Sequence, residues 1–223
     1  MRFDGASTRK PVIVVISGRG SNMRALIEAG RAAGSAFEVM RVLSDKPDAG
    51  GLEIAREMGV DALAVPASGC KDRAAYDLKL AAAIDADPPA LIALAGFMRI
   101  LSPGFVRRFE GRLINVHPSL LPKYAGLHTH RRALAAGDSE HGATVHFVTE
   151  ELDGGPPVLQ ARVPVKDGDD ESSLSARVHA AEHKIFPAVV NWFCAGRLIY
   201  RDGRAWFDGR LLESPLQWDE TTA

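Results

Sequence analysis

The strongest constraint in this sequence is a repeated change of hydrophobic period. Residues 12–16 (VIVVI) form an unbroken apolar run of strand length, SGRGSN follows, and MRALIEAGRAA then sets its apolar side chains at helical spacing. The same succession returns at 39–44 before 51–58, at 62–65 before 73–84 and at 91–94 before 103–109, and residues 113–116 close the series. Strand-length runs alternating with helices require right-handed crossovers, which lay the helices on the faces of a parallel sheet. The expected fold class is α/β, a mostly parallel twisted sheet with helices on both faces. The last third changes character. Residues 143–148 and 158–163 read as strands around the Pro156-Pro157 break, 172–195 as a long helix, and 198–211 as a small C-terminal hairpin with Asp202-Gly203 and Asp208-Gly209 turns. The stretches before Pro11 and after Ser214 show no periodicity and are expected to fray.

A chain of 223 residues, 46% hydrophobic and 25% charged, can bury one substantial core. Residues 1–223 are therefore read as a single domain with its ordered core over 11–212. With 27 basic against 28 acidic side chains, a net charge of −1, there is no field to draw nucleic acid or an anionic membrane. No apolar run is long enough to span a bilayer, and the opening MRFDGASTR lacks the apolar core of a secretory signal, so the expected setting is the cytoplasm. Cys70 and Cys194 lie far apart without CxxC spacing; they suit a reducing compartment and read as small inert hydrophobes.

Two stretches carry chemistry. The first is Ser17 to Asn22 (SGRGSN), between the first strand and the first helix. Glycines there let the backbone approach a ligand, and the N–H groups opening the helix point at an anion with the dipole behind them. A dinucleotide fingerprint needs a glycine where Met23 stands, and a Walker loop is absent, although Asp45 lies near the end of the second strand where a ribose-binding acid would stand. A phosphate monoester fits the loop better. Ser21 or Asn22 could also serve as the helix N-cap, a role compatible with binding.

The second is INVHPSLLPKYAGLHTHRRAL, residues 114–134, with His117, His128 and His130. In open α/β sheets ligands collect outside the carboxyl ends of the strands, where Asn115 and His117 stand two residues apart on one face. An amide donor and an imidazole so placed can hold a developing oxyanion, and a carboxylate such as Asp153 beside the ring would favour its charged form. Asp153 could equally serve only the Asp-Gly-Gly-Pro turn. The histidine spacing matches no metal motif. His128 and His130 are read as loop and helix-start residues, His141 and His146 as turn or packed-strand residues.

SGRGSNMRALIEA, AGFMRILSPGFV, INVHPSLLPKYAGLHTHRRAL, EHGATVHFVTEELDGGPPVLQ and AAEHKIFP, standing in this order and spanning nearly all of residues 11–212, resemble the glycinamide ribonucleotide formyltransferase family, folate-dependent enzymes of purine synthesis. The resemblance implies a catalytic trio of Asn115, His117 and Asp153. It implies a phosphate loop at Gly20, Ser21 and Asn22, with His179, Ala180, Ala181 and Glu182 holding the rest of the ribonucleotide. It assigns the folate to Arg73, to Met98, Arg99, Ile100 and Leu101, and to Asn115 and Thr149, Glu150, Glu151, Leu152 and Asp153. The implied co-substrate is 10-formyltetrahydrofolate; no metal is called for, since the formyl carbon is already activated. The expected partners are small-molecule substrates, with neither nucleic acid nor membrane, and the chain acting as a monomer or homodimer. Arg19 and Ala125 depart from the family pattern: Arg19 is expected to add a phosphate contact and Ala125 to loosen its loop. Formyltetrahydrofolate hydrolase and methionyl-tRNA formyltransferase share the chemistry, but the stretches flanking the core are too short for the extra domain each carries. A non-enzymatic nucleotide sensor would keep the glycine loop and have no use for the trio.

Overall fold

The computed structural model describes residues 9–219. The chain runs β1 (Lys10–Ile16), α1 (Ser21–Arg31), β2 (Phe37–Ser44), α2 (Gly50–Glu57), β3 (Asp61–Ala64), α3 (Arg73–Asp85), β4 (Leu91–Leu94), α4 (Pro103–Arg108) and β5 (Leu113–His117). It continues through α5 (Thr129–Ala135), β6 (Glu140–Phe147), β7 (Pro157–Pro164), α6 (Glu171–Cys194), β8 (Leu198–Arg201), β9 (Arg204–Phe207), β10 (Arg210–Leu211) and β11 (Leu216–Gln217). Eight strands form one sheet in the order β11-β7-β6-β5-β4-β1-β2-β3. From β3 to β5 every pairing is parallel; β6 and β7 then run antiparallel.

Burial on both faces explains why the early strands read as unbroken apolar runs. Val12, Val14 and Ile16 of β1 pack with Met23, Leu26 and Ile27 of α1, Leu52 of α2 and Ile185 and Phe186 of α6. Ile13 and Val15 face the opposite layer, where Tyr76, Leu80 and Ile84 of α3 meet Phe105 and Phe109 around α4. All five β1 residues from Val12 to Ile16 are fully buried, and burying such a side chain stabilises the fold by about 1.5–3 kcal/mol. Strand order reverses between β1 and β4, which opens a crevice at their carboxyl ends.

That crevice is shaped by glycine. The N–H of Gly51, in the first turn of α2, donates to the Gly18 carbonyl at 3.1 Å, and a Cβ on Gly51 would stand 2.5 Å from Ile16 Cδ1 and 3.0 Å from the Gly18 oxygen. Only glycine lets α2 seat itself against the loop that opens α1.

Several details differ from the sequence reading. The described residues after Ser214 join the sheet: Leu216 and Gln217 pair with Leu159 and Gln160 of β7, and the Trp218 N–H donates to the Gln160 carbonyl at 2.7 Å. A two-residue edge strand is too short to show any period. At the other end β1 begins at Lys10, whose N–H donates to the Ala36 carbonyl, while residues 1–8 lie outside the described residues. The C-terminal appendage is a three-stranded meander rather than a single hairpin. Its turns are those the Asp-Gly pairs call for, with both central residues at positive φ: Asp202 at 54° and Gly203 at 73°, Asp208 at 48° and Gly209 at 77°. Helix α5, of which the sequence marks only a start, runs from Thr129 to Ala135 behind His128.

Candidate active site

Strand β5 delivers Asn115 and His117 to the sheet face opposite Ile114 and Val116, which pack under α6. His117 is buried, its side chain only 8% exposed. Its Nδ1 stands 3.5 Å from Asp153 Oδ2 and its Nε2 stands 3.0 Å from the Tyr124 carbonyl. Both facing groups are acceptors, so the ring satisfies both only when protonated on both nitrogens. The sequence reading turns this ring toward an oxyanion; in the structure its Nε2 faces the loop between β5 and α5.

The turn after β6 brings Asp153 to the ring. Gly155 approaches so closely that a Cβ there would lie 1.9 Å from the Phe147 carbonyl oxygen, and this approach folds Asp153 back over β5. Asp153 takes a left-handed backbone, φ 52°, a conformation that disfavours most side chains. Its Oδ2 accepts from the Gly126 N–H at 2.8 Å. The acid that could have served only a turn therefore serves the turn, the loop and the imidazole together.

His146 completes the cluster, and the sequence reading passed over it as a packed strand residue. Register pairs it across strands with Asn115, and the Asn115 Nδ2 lies 3.2 Å from its Nε2. Its Nδ1 faces the Phe147 carbonyl at 2.9 Å, and Asp153 Oδ1 stands 3.8 Å from Nε2. Burial holds this ring neutral, well below the usual histidine range, despite the opposing pull of the Phe147 carbonyl and Asp153. Finding it from sequence would have required the β5–β6 register.

The loop from 118 to 128 is pinned at several points. Tyr124 Oη donates to Asp138 Oδ2 at 2.7 Å, and the Ala125 carbonyl accepts from Arg132 Nη1 at 2.7 Å. The expected loosening at Ala125 is thus countered by Arg132, which also stacks over the Tyr124 ring at 5.0 Å. His128 occupies the N-cap position of α5 with φ 59°. His130, on the first turn, meets His141 of β6, Nδ1 to Nε2, at 3.1 Å. Burial lowers both rings, His141 to about 4.

On the other side of the crevice α1 and α6 pack together. Neither Ser21 nor Asn22 caps α1: Gly20 holds the cap position at φ 76° and no side chain closes the helix end. The amide of Asn22 instead donates to Glu182 Oε2 at 2.7 Å, joining residues 160 apart in the chain. Glu182 is 3% exposed, and burial pushes its carboxyl up to about 7 although the Asn22 bond opposes this. Asn22 Oδ1 is buried with no hydrogen-bond partner among the described residues. His179 is half-buried, and burial, with His183 and Arg19 adding to it, lowers its ring below the usual histidine range. Ala180 is exposed and Ala181 half-buried on the same helix.

A third wall belongs to the folate candidates. Arg99, Ile100, Leu101, Asn115, Thr149, Glu150, Glu151, Leu152 and Asp153 line a cleft of about 100 Å³, floored by Leu94, Phe97, Val106 and Val148 and shared with His146. Ile100 and Leu152 stay more than half exposed, an apolar rim suited to a flat ring. Arg99 lies 4.6 Å above the Tyr76 ring and 3.9 Å from buried Asp45, the acid considered for a ribose. Arg73 and Met98 are exposed outside this cleft, Arg73 in the first turn of α3 behind the Asp72 cap.

The profile of the formyl transferase family matches residues 10–190. The phosphoribosylglycinamide formyltransferase of Escherichia coli (strain K12) is 53% identical over 201 residues, covering 90% of this chain and 95% of that protein. The trifunctional purine biosynthetic protein adenosine-3 of Drosophila melanogaster is 50% identical over 184 residues, 82% of this chain but 14% of the larger protein. Among solved structures, the phosphoribosylglycinamide formyltransferase of Coxiella burnetii superposes with a TM-score of 0.90 at 45% identity, covering 95% of this chain and all of that one. With the fold, the crevice and these likenesses agreeing, the chain belongs to the formyl transferase family, among its phosphoribosylglycinamide formyltransferases.

Proposed function

We propose that the chain transfers the formyl group of 10-formyltetrahydrofolate to the amine of glycinamide ribonucleotide, a step of de novo purine synthesis, in the cytoplasm. The observation that carries the reading is the meeting of His117 and Asp153 at 3.5 Å, with Asn115 joined to them through His146, at the carboxyl end of β5. In this reading the ribonucleotide phosphate lies on the loop of Gly20, Ser21 and Asn22 at the N-terminus of α1, where backbone N–H groups and the helix dipole favour an anion. His179 and Glu182 flank the rest of that substrate, and the folate occupies the cleft beside Arg99, Ile100 and Leu152.

The neutral amine attacks the formyl carbon, whose carbonyl oxygen becomes negative as the tetrahedral centre forms. Asn115 supplies an N–H donor to that oxygen, and His117, 3.5 Å from Asp153, supplies nearby positive charge when it is protonated. Removing a preorganised donor of this kind typically slows the step by about two to three orders of magnitude. The bond to folate N10 then breaks, and the proton lost by the amine reaches N10 through a water ordered by Asp153. Holding both substrates in one crevice supplies much of the remaining advantage.

The test mixes protein, 10-formyltetrahydrofolate and glycinamide ribonucleotide and follows the folate absorbance. A change that depends on the ribonucleotide supports the reading. Release of tetrahydrofolate at the same rate without the ribonucleotide would point to formyl transfer to water instead.

A further inference from the structure

Rotating the Asn115 amide by half a turn exchanges its oxygen and nitrogen with little change in shape, yet the two orientations have opposite chemistry. With nitrogen toward the reacting centre the side chain donates to a developing negative oxygen. With oxygen there it repels that charge. Something in the fold has to choose, and His146 is the residue placed to do so.

The choice follows from three facts. The Phe147 carbonyl can only accept, so the His146 Nδ1 beside it at 2.9 Å carries the ring proton. The residue is 2% exposed, which favours the neutral ring and hence a single proton. Nε2 is then a lone pair, and of the two ends of the Asn115 amide only the nitrogen can meet it, as it does at 3.2 Å. The charged groups facing His146 are Asp153 and His117. The Asp153 carboxylate, 3.8 Å from Nε2, would favour a second proton there, but it is already held by the Gly126 N–H at 2.8 Å and by His117 Nδ1 at 3.5 Å. Asn115 and His146 line the same cleft as the folate candidates, so the second N–H of the amide is left for the reacting group.

Resting on the formyl-transfer reading above, we infer that His146 is a positioning residue: its unprotonated Nε2 accepts one N–H of Asn115 and thereby turns the amide nitrogen toward the formyl oxygen. In this role His146 makes its bond to Asn115 and not to the formyl oxygen. It acts through Asn115 alone, and this separates a positioning role from a merely structural one.

The experiment has two arms. In the first, ¹H–¹⁵N correlation spectra of the wild-type histidine rings at neutral pH report the tautomer without any turnover. The expected pattern is a protonated Nδ1 and an unprotonated Nε2 for His146; a protonated Nε2 overturns the inference. In the second, kcat is measured for His146→Leu and His146→Gln in the wild-type and Asn115→Ala backgrounds. His146→Leu should lower kcat by about 10- to 100-fold, part of what losing a preorganised donor does, with KM for both substrates within about threefold. His146→Gln should recover most of that loss, because its Oε1 can take the place of Nε2 as acceptor. In the Asn115→Ala background His146→Leu should change kcat by less than about twofold. Multiplying effects, or a glutamine variant no better than leucine, would overturn the inference. If the leucine variant fails to fold, the tautomer and the glutamine variant still decide. An inactive wild-type protein would sink the formyl-transfer reading, while the tautomer arm would still judge the placement of His146.

Discussion

Replacing Asp153 with asparagine is the sharpest test of the charge arrangement, because it removes a charge and little else. The amide is nearly isosteric, and its oxygen can still accept the Gly126 N–H that the carboxylate accepts at 2.8 Å, so the turn stays in place. What is lost is the attraction of the Asp153 carboxylate for His117 whenever that ring carries a proton, the two standing 3.5 Å apart with side chains only 9% and 8% exposed. At an effective dielectric of about 20, unit charges at that separation attract by about 5 kcal/mol. The pair exists before reaction, so the whole of this does not reach the barrier. A loss of about 3 to 4 kcal/mol of transition-state stabilisation corresponds to two to three decades in kcat. The assay is steady-state turnover at saturating concentrations of both substrates, followed by folate absorbance. The KM for the ribonucleotide should stay within about threefold, because the Asn22–Glu182 hydrogen bond on its side of the crevice is separate from the Asp153 bonds to Gly126 and His117. A folded Asp153→Asn enzyme with kcat within threefold of wild type would refute the reasoning.

Two further outcomes follow from the other side of the crevice. Glu182 has its carboxyl raised to about 7 by burial, so the folded state binds a proton that the unfolded chain gives up near its ordinary value of about 4.5. That stability is full below about 4.5 and is lost as pH rises through about 7; relative to Glu182→Gln, wild type should lose roughly 3 kcal/mol across this window, as read from urea unfolding midpoints. Parallel pH dependence in the two proteins would exclude it. Gly51→Ala would press a Cβ to 3.0 Å from the Gly18 carbonyl, which as backbone can yield only by moving the loop. The expected result is a several-fold rise in KM for the ribonucleotide with kcat at saturation within about threefold, and an unchanged KM would show that the loop does not contact that substrate.

Features that depend on neighbours along the chain are legible in the residues themselves. The run at residues 12–16, the helical spacing after it and the Asp-Gly pairs at 202 and 208 specify strand, helix and turn through backbone sterics and side-chain period, and the fold keeps each of them. The family resemblance pointed to Asn115, His117 and Asp153, whereas spacing alone left Asp153 open as a turn residue. Which distant groups meet is visible only once the chain is folded. The β5–β6 register put His146 against Asn115, the packing of α1 on α6 joined Asn22 to Glu182, and the turn after β6 set Asp153 on His117. None of these pairs shares a period or a turn. Each exists because crossovers and packing bring together segments whose separation along the chain carries no information about their separation in space, and there the burial, the hydrogen-bond partners and the protonation of the site are set.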